Sequence, residues 1–374
     1  MRKYRFLYVN ICEKDAYRGH KLFDMEYASI LSTIGEVDVI EPEEGWYEAN
    51  KNINIILYDP AQDINKFTTH ILKKLEKGFI QRISPYIHLC NYNILKQVEK
   101  LDRKYNYTTI IAAHLDLFAY IVFRKKSSLN NKLFVIEHMP SAYLHKFMRK
   151  AFNITKNKMT HLVMERVAIE FYENEYGVQK DKLQYLPHPF NEIKINKGKK
   201  QYNIVGISNS NSPAFIRNLI EMEKQISFFK NNEIKAIFRT GSETFDNGWL
   251  KVIKGCLGLS FEEYYSYILN ADLIVAPFET DFGARTSGTI IDGLSNGIPV
   301  IGSSFITMMQ YSNEYPNACK VFGDLKEMCD MIVDYLKNAE AYKVNAQQDF
   351  DNFRLERSVE NIADNFMKLF SHQK

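Results

Sequence analysis

Short apolar runs alternate with longer amphipathic segments along this chain. The runs Phe6–Val9, Val37–Ile40, Ile53–Tyr58, Thr109–Ala113, Leu133–Ile136, His161–Met164 and Gln184–Leu186 predict one series of strands. Asn203–Ile207, Lys235–Phe238, Asp272–Ala276, Pro299–Ile301 and Lys320–Phe322 predict a second. Between them, Leu22–Ser32, Asn93–Lys104, Ser212–Phe229, Phe261–Asn270 and Leu325–Asn338 carry apolar residues at helical spacing. Strands that are apolar throughout and alternate with helices predict an α/β fold, with parallel sheets covered on both faces.

The rhythm breaks at Leu186-Pro187-His188-Pro189-Phe190 and the polar, Lys-rich run Asn191–Gln201. Two prolines disfavour helix there, and a strand restarts the pattern. The expectation is a Rossmann-like domain over 1–187, a linker over 188–201 and a second Rossmann-like domain over 202–352. Two such halves place a cleft between them, and ligands of such sheets bind beyond the carboxyl ends of the strands. The first strand runs into a loop holding Arg18, Gly19 and His20. Later strands of the first half end at His114 and Asp116, and at Glu137 and His138. Those of the second half end at Ser208-Asn209-Ser210, at Arg239-Thr240-Gly241 and at Phe278-Glu279.

The densest chemistry lies in 272–303, which reads as strand, loop, helix and strand. Its helix opens near Ser287, with Arg285, Thr286, Ser287, Gly288 and Thr289 at the start. Free amides, hydroxyls and one guanidinium at the positive end of a helix dipole suit a diphosphate. Ser287 also reads as an ordinary N-cap. Asp292, further along, is placed to accept hydrogen bonds from a sugar hydroxyl.

Size and composition narrow the picture. A chain of 374 residues suits two domains. A net charge of +3 gives no argument for nucleic acid as a partner. The five cysteines are scattered without metal spacing, which predicts reduced thiols in a cytoplasmic protein. The N-terminal apolar run is too short for a signal peptide. No stretch approaches the roughly 18–20 apolar residues of a membrane span.

Residues 200–305 resemble the nucleotide-sugar-dependent glycosyltransferases of GT-B architecture, family 4 (group 1) in particular. The resemblance rests on Ser295-Asn296-Gly297-Ile298-Pro299-Val300-Ile301, on Ala271-Asp272-Leu273-Ile274-Val275-Ala276-Pro277 after Phe261-Glu262-Glu263-Tyr264, and on Ile237–Gly241. It implies a donor site of Ser208, Asn209, Arg239, Thr240, Gly241, Thr286, Ser287, Gly288, Thr289 and Asp292, to which the place of Glu279 just after a strand adds that residue. Arg285 would neutralise the leaving diphosphate, and His138 would contact the donor sugar. Arg18, Gly19, His114 and Asp116 would lie on the acceptor side, with Glu137, Asp116 or His114 as base if the reaction inverts. The resemblance favours retention, and it implies a final helix over 353–374 that crosses back to the first domain. It implies a nucleotide-sugar donor, a glycan or lipid-linked glycan acceptor, no metal and no further cofactor.

Two departures stand out. Aligned on Gly297, Ala284 occupies the first position of the family's acidic pair, with Asp292 at the second. The loop Ser208-Asn209-Ser210-Asn211-Ser212 lacks the family's basic residues. A nucleotide-sugar epimerase and a silent sugar-binding scaffold therefore stay open. The segment 144–158 reads as an amphipathic basic helix, suited either to core packing or to the inner face of a membrane. Asp349-Phe350-Asp351 matches a metal motif but reads as a solvated turn.

Overall fold

The computed structural model describes residues 4–11, 18–41, 51–76, 84–124, 129, 132–138, 146–190, 200–255 and 259–371. The fold divides into two compact units, Met1–Pro189 with Val359–Lys374, and Phe190–Ser358.

The first unit runs β1 (Tyr4–Val9), α1 (Arg18–Ile34), β2 (Gly35–Glu41), β3 (Ile53–Leu57), α2 (Lys66–Glu76), α3 (Pro85–Tyr105), β4 (Thr109–Ala112), α4 (Leu117–Phe123), β5 (Leu133–Glu137), α5 (Lys146–Thr155), β6 (Thr160–Val163), α6 (Arg166–Tyr176) and β7 (Leu183–Tyr185). Its parallel sheet has the order β3-β2-β1-β4-β5-β6-β7. The chain moves outward from β1 to β3, then returns to the other side of β1 with β4. The switch point therefore lies between β1 and β4, where a crevice opens beyond the strand ends. Phe6 and Tyr8 point into one apolar layer with α1, while Leu7 and Val9 point into another with α3 and α4.

The second unit runs β8 (Ile204–Gly206), α7 (Pro213–Ile226), α8 (Phe228–Asn231), β9 (Ala236–Thr240), β10 (Phe245–Asp246), β11 (Leu250–Lys254), α9 (Phe261–Asn270), β12 (Leu273–Ala276), α10 (Gly288–Ser295), β13 (Val300–Ser303), α11 (Ile306–Glu314), β14 (Cys319–Phe322), α12 (Leu325–Lys337) and α13 (Ala339–Glu356). Its sheet has the order β10-β11-β9-β8-β12-β13-β14, with the switch between β8 and β12. β10 alone pairs antiparallel, at the edge. Gly206 is needed at the centre, because a Cβ there would lie 2.4 Å from the Phe238 ring and 3.0 Å from the Val275 carbonyl.

Several expectations are corrected. The helix expected over Ser212–Phe229 breaks at Ser227, which adopts a left-handed conformation (φ 51°). The buried Glu223 carboxylate then accepts the Phe229 amide at 2.8 Å and starts α8. Arg239 and Thr240 belong to β9 rather than to the loop after it. The hairpin β10–β11 was not anticipated, although Asn247-Gly248 is a strong hairpin signal; Gly248 has φ 85°. Asp349 is not in a turn. It lies buried in α13 and accepts the amides of Asn317 at 2.7 Å and Ala318 at 3.2 Å. Cys90, Cys319 and Cys329 are buried free thiols; Cys12 and Cys256 lie outside the described residues.

The final helix is also divided. After α13, Arg357 turns its guanidinium back over the Phe353 ring at 3.9 Å, and its carbonyl accepts the Phe190 amide at 3.3 Å. The chain then starts α14 (Val359–Ser371), which crosses back to the first unit and packs on α1. Ile362, Ala363, Phe366 and Phe370 are buried in the same cluster as Phe6, Tyr27 and Phe134.

Two substitutions separate the units. Phe366→Ala empties a fully buried site in the first unit and should cost about 3–5 kcal/mol there. Gly206→Ala overfills the second and should cost about 1–3 kcal/mol there. Urea unfolding followed by hydrogen exchange in each unit should show the first loss confined to the first unit, the second to the second.

Candidate functional site

In the second unit, the loops at the switch point are tied together by Asn211. Its Nδ2 donates to the Gly206 carbonyl at 2.6 Å and to the Arg239 carbonyl at 2.8 Å. Its backbone bridges Phe278, and the next amide, of Ser212, donates to Pro277 at 2.7 Å. Asn211 Oδ1 is buried with no hydrogen-bond partner, as is Thr240 Oγ1. Ser212 caps α7 by accepting the Phe215 amide at 3.1 Å, and its hydroxyl also hydrogen-bonds the Glu279 carboxylate. Ser208 is buried and accepts the Ser210 amide at 3.2 Å, while Asn209 is exposed.

Beyond β12, the turn Thr280–Phe282 ends at Gly283, whose φ of 61° and ψ of −134° only glycine adopts freely. The reversal delivers Arg285 to the α10 start. Arg285 Nε donates to the Phe282 carbonyl at 3.0 Å, and the guanidinium lies 4.3 Å from the Phe282 ring centre. Burial pulls its pKa below the ordinary value, and the nearby Asp281 carboxylate opposes that shift. Thr307 Oγ1 holds the Arg285 carbonyl at 2.9 Å. Thr286 is half-buried between Arg285 and the helix.

α10 begins without a side-chain cap. Ser287 is buried at the N-cap position but makes no capping hydrogen bond. A Cβ on Gly288 would meet nothing within 4 Å, so the space in front of the helix start is open. First-turn amides that no side chain satisfies favour an anion, as does the helix dipole. Thr289 and Asp292 share one helix face, at i and i+3. Both meet Tyr264 of α9, whose hydroxyl lies 3.1 Å from Thr289 Oγ1 and 3.0 Å from Asp292 Oδ2. Burial pushes the Asp292 carboxyl up to about 7, against the lowering effect of the Tyr264 hydrogen bond.

Other candidates in this unit are placed differently from expectation. Arg239 is buried, and its Nε is fixed on the Gly255 carbonyl at 2.6 Å. Gly241 has open space at its Cβ, so no close approach within the protein demands glycine there. Ala284 is buried, which leaves no acid at that position.

In the first unit, His114 follows β4 and His138 follows β5. Their rings stack with centroids 4.3 Å apart. Phe23 of α1 meets His138 edge-on at 4.8 Å and His188 at 4.6 Å. Aromatic rings thus converge at the carboxyl ends of this sheet.

The carboxylates beside them face elsewhere. Glu137 is buried and accepts from His161 Nδ1 at 2.6 Å and from the Tyr172 hydroxyl at 2.9 Å. His161 Nε2 lies 2.7 Å from the Lys156 carbonyl. Asp116 caps α4 through the Phe118 and Ala119 amides, and also accepts from His88 and Asn91. Burial pushes the Asp116 carboxyl up, but hydrogen bonds from His88, Asn91 and Ala119 hold it below its ordinary range. Both acids are engaged in the scaffold, an arrangement that opposes the expected role of general base. Arg18 and Gly19 open α1 rather than occupying a loop; their side chains lie outside the described residues.

α5 covers Lys146–Thr155 of the expected amphipathic segment. It buries Ala151, Phe152 and Thr155 but leaves Phe147 72% exposed and Ile154 47% exposed. Among the described residues, no helix is long and apolar enough to cross a membrane, and no three His, Cys, Asp or Glu side chains form a metal-binding group. Sequence reading missed Asn211 and Tyr264 as site residues.

No protein-family model matches the chain, and no curated protein sequence matches it. Solved structures do. TarM superposes with a TM-score of 0.65 at 10% identity, covering 98% of this chain and 98% of that one. A glycosyltransferase from Rickettsia africae ESF-5 gives 0.61 at 12% identity, over 100% of this chain and 99% of that one. HepE of Anabaena, in complex with UDP and glucose, gives 0.60 at 12% identity, over 99% of this chain and 100% of that one. Likeness at these identities concerns the fold: the chain has the two-unit GT-B fold of the glycosyltransferases.

Proposed function

We propose that this protein is a glycosyltransferase that moves a sugar from a nucleoside diphosphate sugar to a hydroxyl acceptor. The observation that carries the reading is the start of α10. An uncapped, open helix N-terminus stands beside the half-buried Arg285, at the carboxyl edge of the sheet. That arrangement receives a diphosphate and stabilises the charge that grows on it as the glycosidic bond breaks. UDP and glucose in HepE are ligands of the same fold, which supports a nucleotide-sugar donor here.

The remaining roles follow from position. Thr286, Ser287, Gly288 and Thr289 bind the diphosphate, and Asp292 accepts a ribose hydroxyl. Ser208, Asn209, Thr240 and Gly241 border the nucleotide, and His138 contacts the donor sugar. Glu279 and Arg239 support these loops. His114 backs the His138 ring. With Glu137 and Asp116 engaged in scaffold hydrogen bonds, the departing diphosphate is the natural acceptor for the acceptor's proton, which fits retention. Helix dipole and the Arg285 guanidinium serve in place of a metal ion. Phe147 and Ile154, among Lys146 and Lys150 on α5, fit an acceptor presented at an anionic membrane surface.

Calorimetric titration with UDP and GDP tests the reading: binding to one of them is expected, and no binding to either at millimolar concentration would sink it. Arg285→Ala should weaken that binding by about 1.5–3 kcal/mol, the range of a charge-assisted hydrogen bond. Unchanged affinity in the folded variant removes Arg285 from the site. His138→Ala should lower sugar transfer, assayed with a donor-derived radiolabel, far more than nucleotide binding; equal losses contradict its sugar-facing role.

A further inference from the structure

The acid on α10, Asp292, is not left to find its own orientation. Tyr264 reaches it from α9, and one phenolic oxygen lies within 3.1 Å of both Thr289 Oγ1 and Asp292 Oδ2. A phenol has one proton, and an ionised carboxylate is the stronger acceptor. With Asp292 ionised, the phenol donates to Oδ2, and the Thr289 hydroxyl donates in turn to the phenol. The chain Thr289–Tyr264–Asp292 is then fully satisfied. Asp292 Oδ1 is then turned to accept from outside the network.

We propose that Tyr264 is a positioning residue, which holds Asp292 by Oδ2 so that Oδ1 is presented to a hydroxyl of the bound nucleotide sugar. This rests on the donor-site reading above and adds to it a residue on another helix. The neighbours of Asp292 support the assignment. From α9 the Tyr264 hydroxyl meets it, and Thr289 stands beside it on α10. From α13, Arg354 meets the far end of the helix, where its Nε donates to the Ser295 carbonyl at 2.7 Å. β12 and β13 offer apolar side chains, Leu273–Ala276 and Val300–Ile301. The phenol stabilises the ionised carboxylate, and burial leaves its pKa at about 7.

The sign follows directly. A ligand hydroxyl donates more strongly to the ionised carboxylate than to the neutral acid, so binding lowers the pKa of Asp292. Affinity is highest above pH 7 and falls as the pH drops through the free-state value. Nucleotide sugars suit the test because their diphosphate is doubly esterified and has no ionisation near neutrality.

Two measurements test the proposal. In the free protein, carbon-detected NMR of the Asp292 carboxyl should show its midpoint raised in Tyr264→Phe, and raised less in Thr289→Val. An unmoved midpoint in the folded Tyr264→Phe protein overturns the proposal. In the second, UDP-glucose and GDP-mannose are titrated between pH 6 and 8.5. For whichever binds, wild-type affinity should rise with pH, and Asp292→Asn should be weaker and flat. Tyr264→Phe should be about three- to tenfold weaker at pH 8, with its midpoint moved upward. Wild-type affinity and midpoint retained in Tyr264→Phe also overturn it. If wild type binds neither sugar nucleotide, the donor-site reading falls, while the free-protein titration still decides whether Tyr264 holds Asp292.

Discussion

Everything at the second unit's strand ends depends on one side-chain amide. Where strand order reverses, β8 gains β9 on one side and β12 on the other, and the loops that leave these strands diverge. Carbonyls exposed by such divergence need partners, since a buried backbone group left unpaired is costly. Asn211 supplies two donors at once and closes the gap between β8 and β9. Its backbone meets Phe278 beyond β12, so three strands are locked by one residue. The start of α7, the Glu279 carboxylate and the turn leading to Arg285 are all built out from that lock.

The site that results is short of charge. A single guanidinium, already spending one donor on the Phe282 carbonyl, stands at the helix start. Around it are hydroxyls, an amide, backbone and the Asp281 carboxylate. Neutral donors fixed in advance cost little reorganisation and work well in a half-buried setting, where one charge has a long reach. The same economy extends to Asp292, which the neutral phenol of Tyr264 stabilises. In the first unit the reverse holds. Glu137 and Asp116 are surrounded by donors and serve as struts, leaving stacked imidazoles at the sheet edge.

The α/β class, the division into two units and most strands were legible because parallel strands buried on both faces leave continuous apolar runs. The α10 start was legible too, since Arg285 to Thr289 carries small, hydroxylic and cationic residues in sequence. What escaped depends on partners distant in the chain. Tyr264 reads as an ordinary apolar position of an amphipathic helix, and only packing reveals that its hydroxyl meets Asp292. Glu137 and Asp116 look catalytic from their place after strands; His161, Tyr172 and His88, up to 35 residues away, tie them into the scaffold. The break at Ser227 turns on Glu223 capping Phe229, a choice that propensity does not make. The β10–β11 hairpin was written in Asn247-Gly248 and passed over because the surrounding alternation suggested only parallel strands.

The return of α14 to the first unit sets an order on the birth of this protein. A ribosome releases the residues of β1 to β7 well before Ile362, Phe366 and Phe370, which complete their apolar layer. The second unit lies between these two parts and has its own core within 190–358. The domain that emerges second is therefore the first able to mature. The unit built from β1 to β7 keeps that hydrophobic face uncovered until α14 arrives.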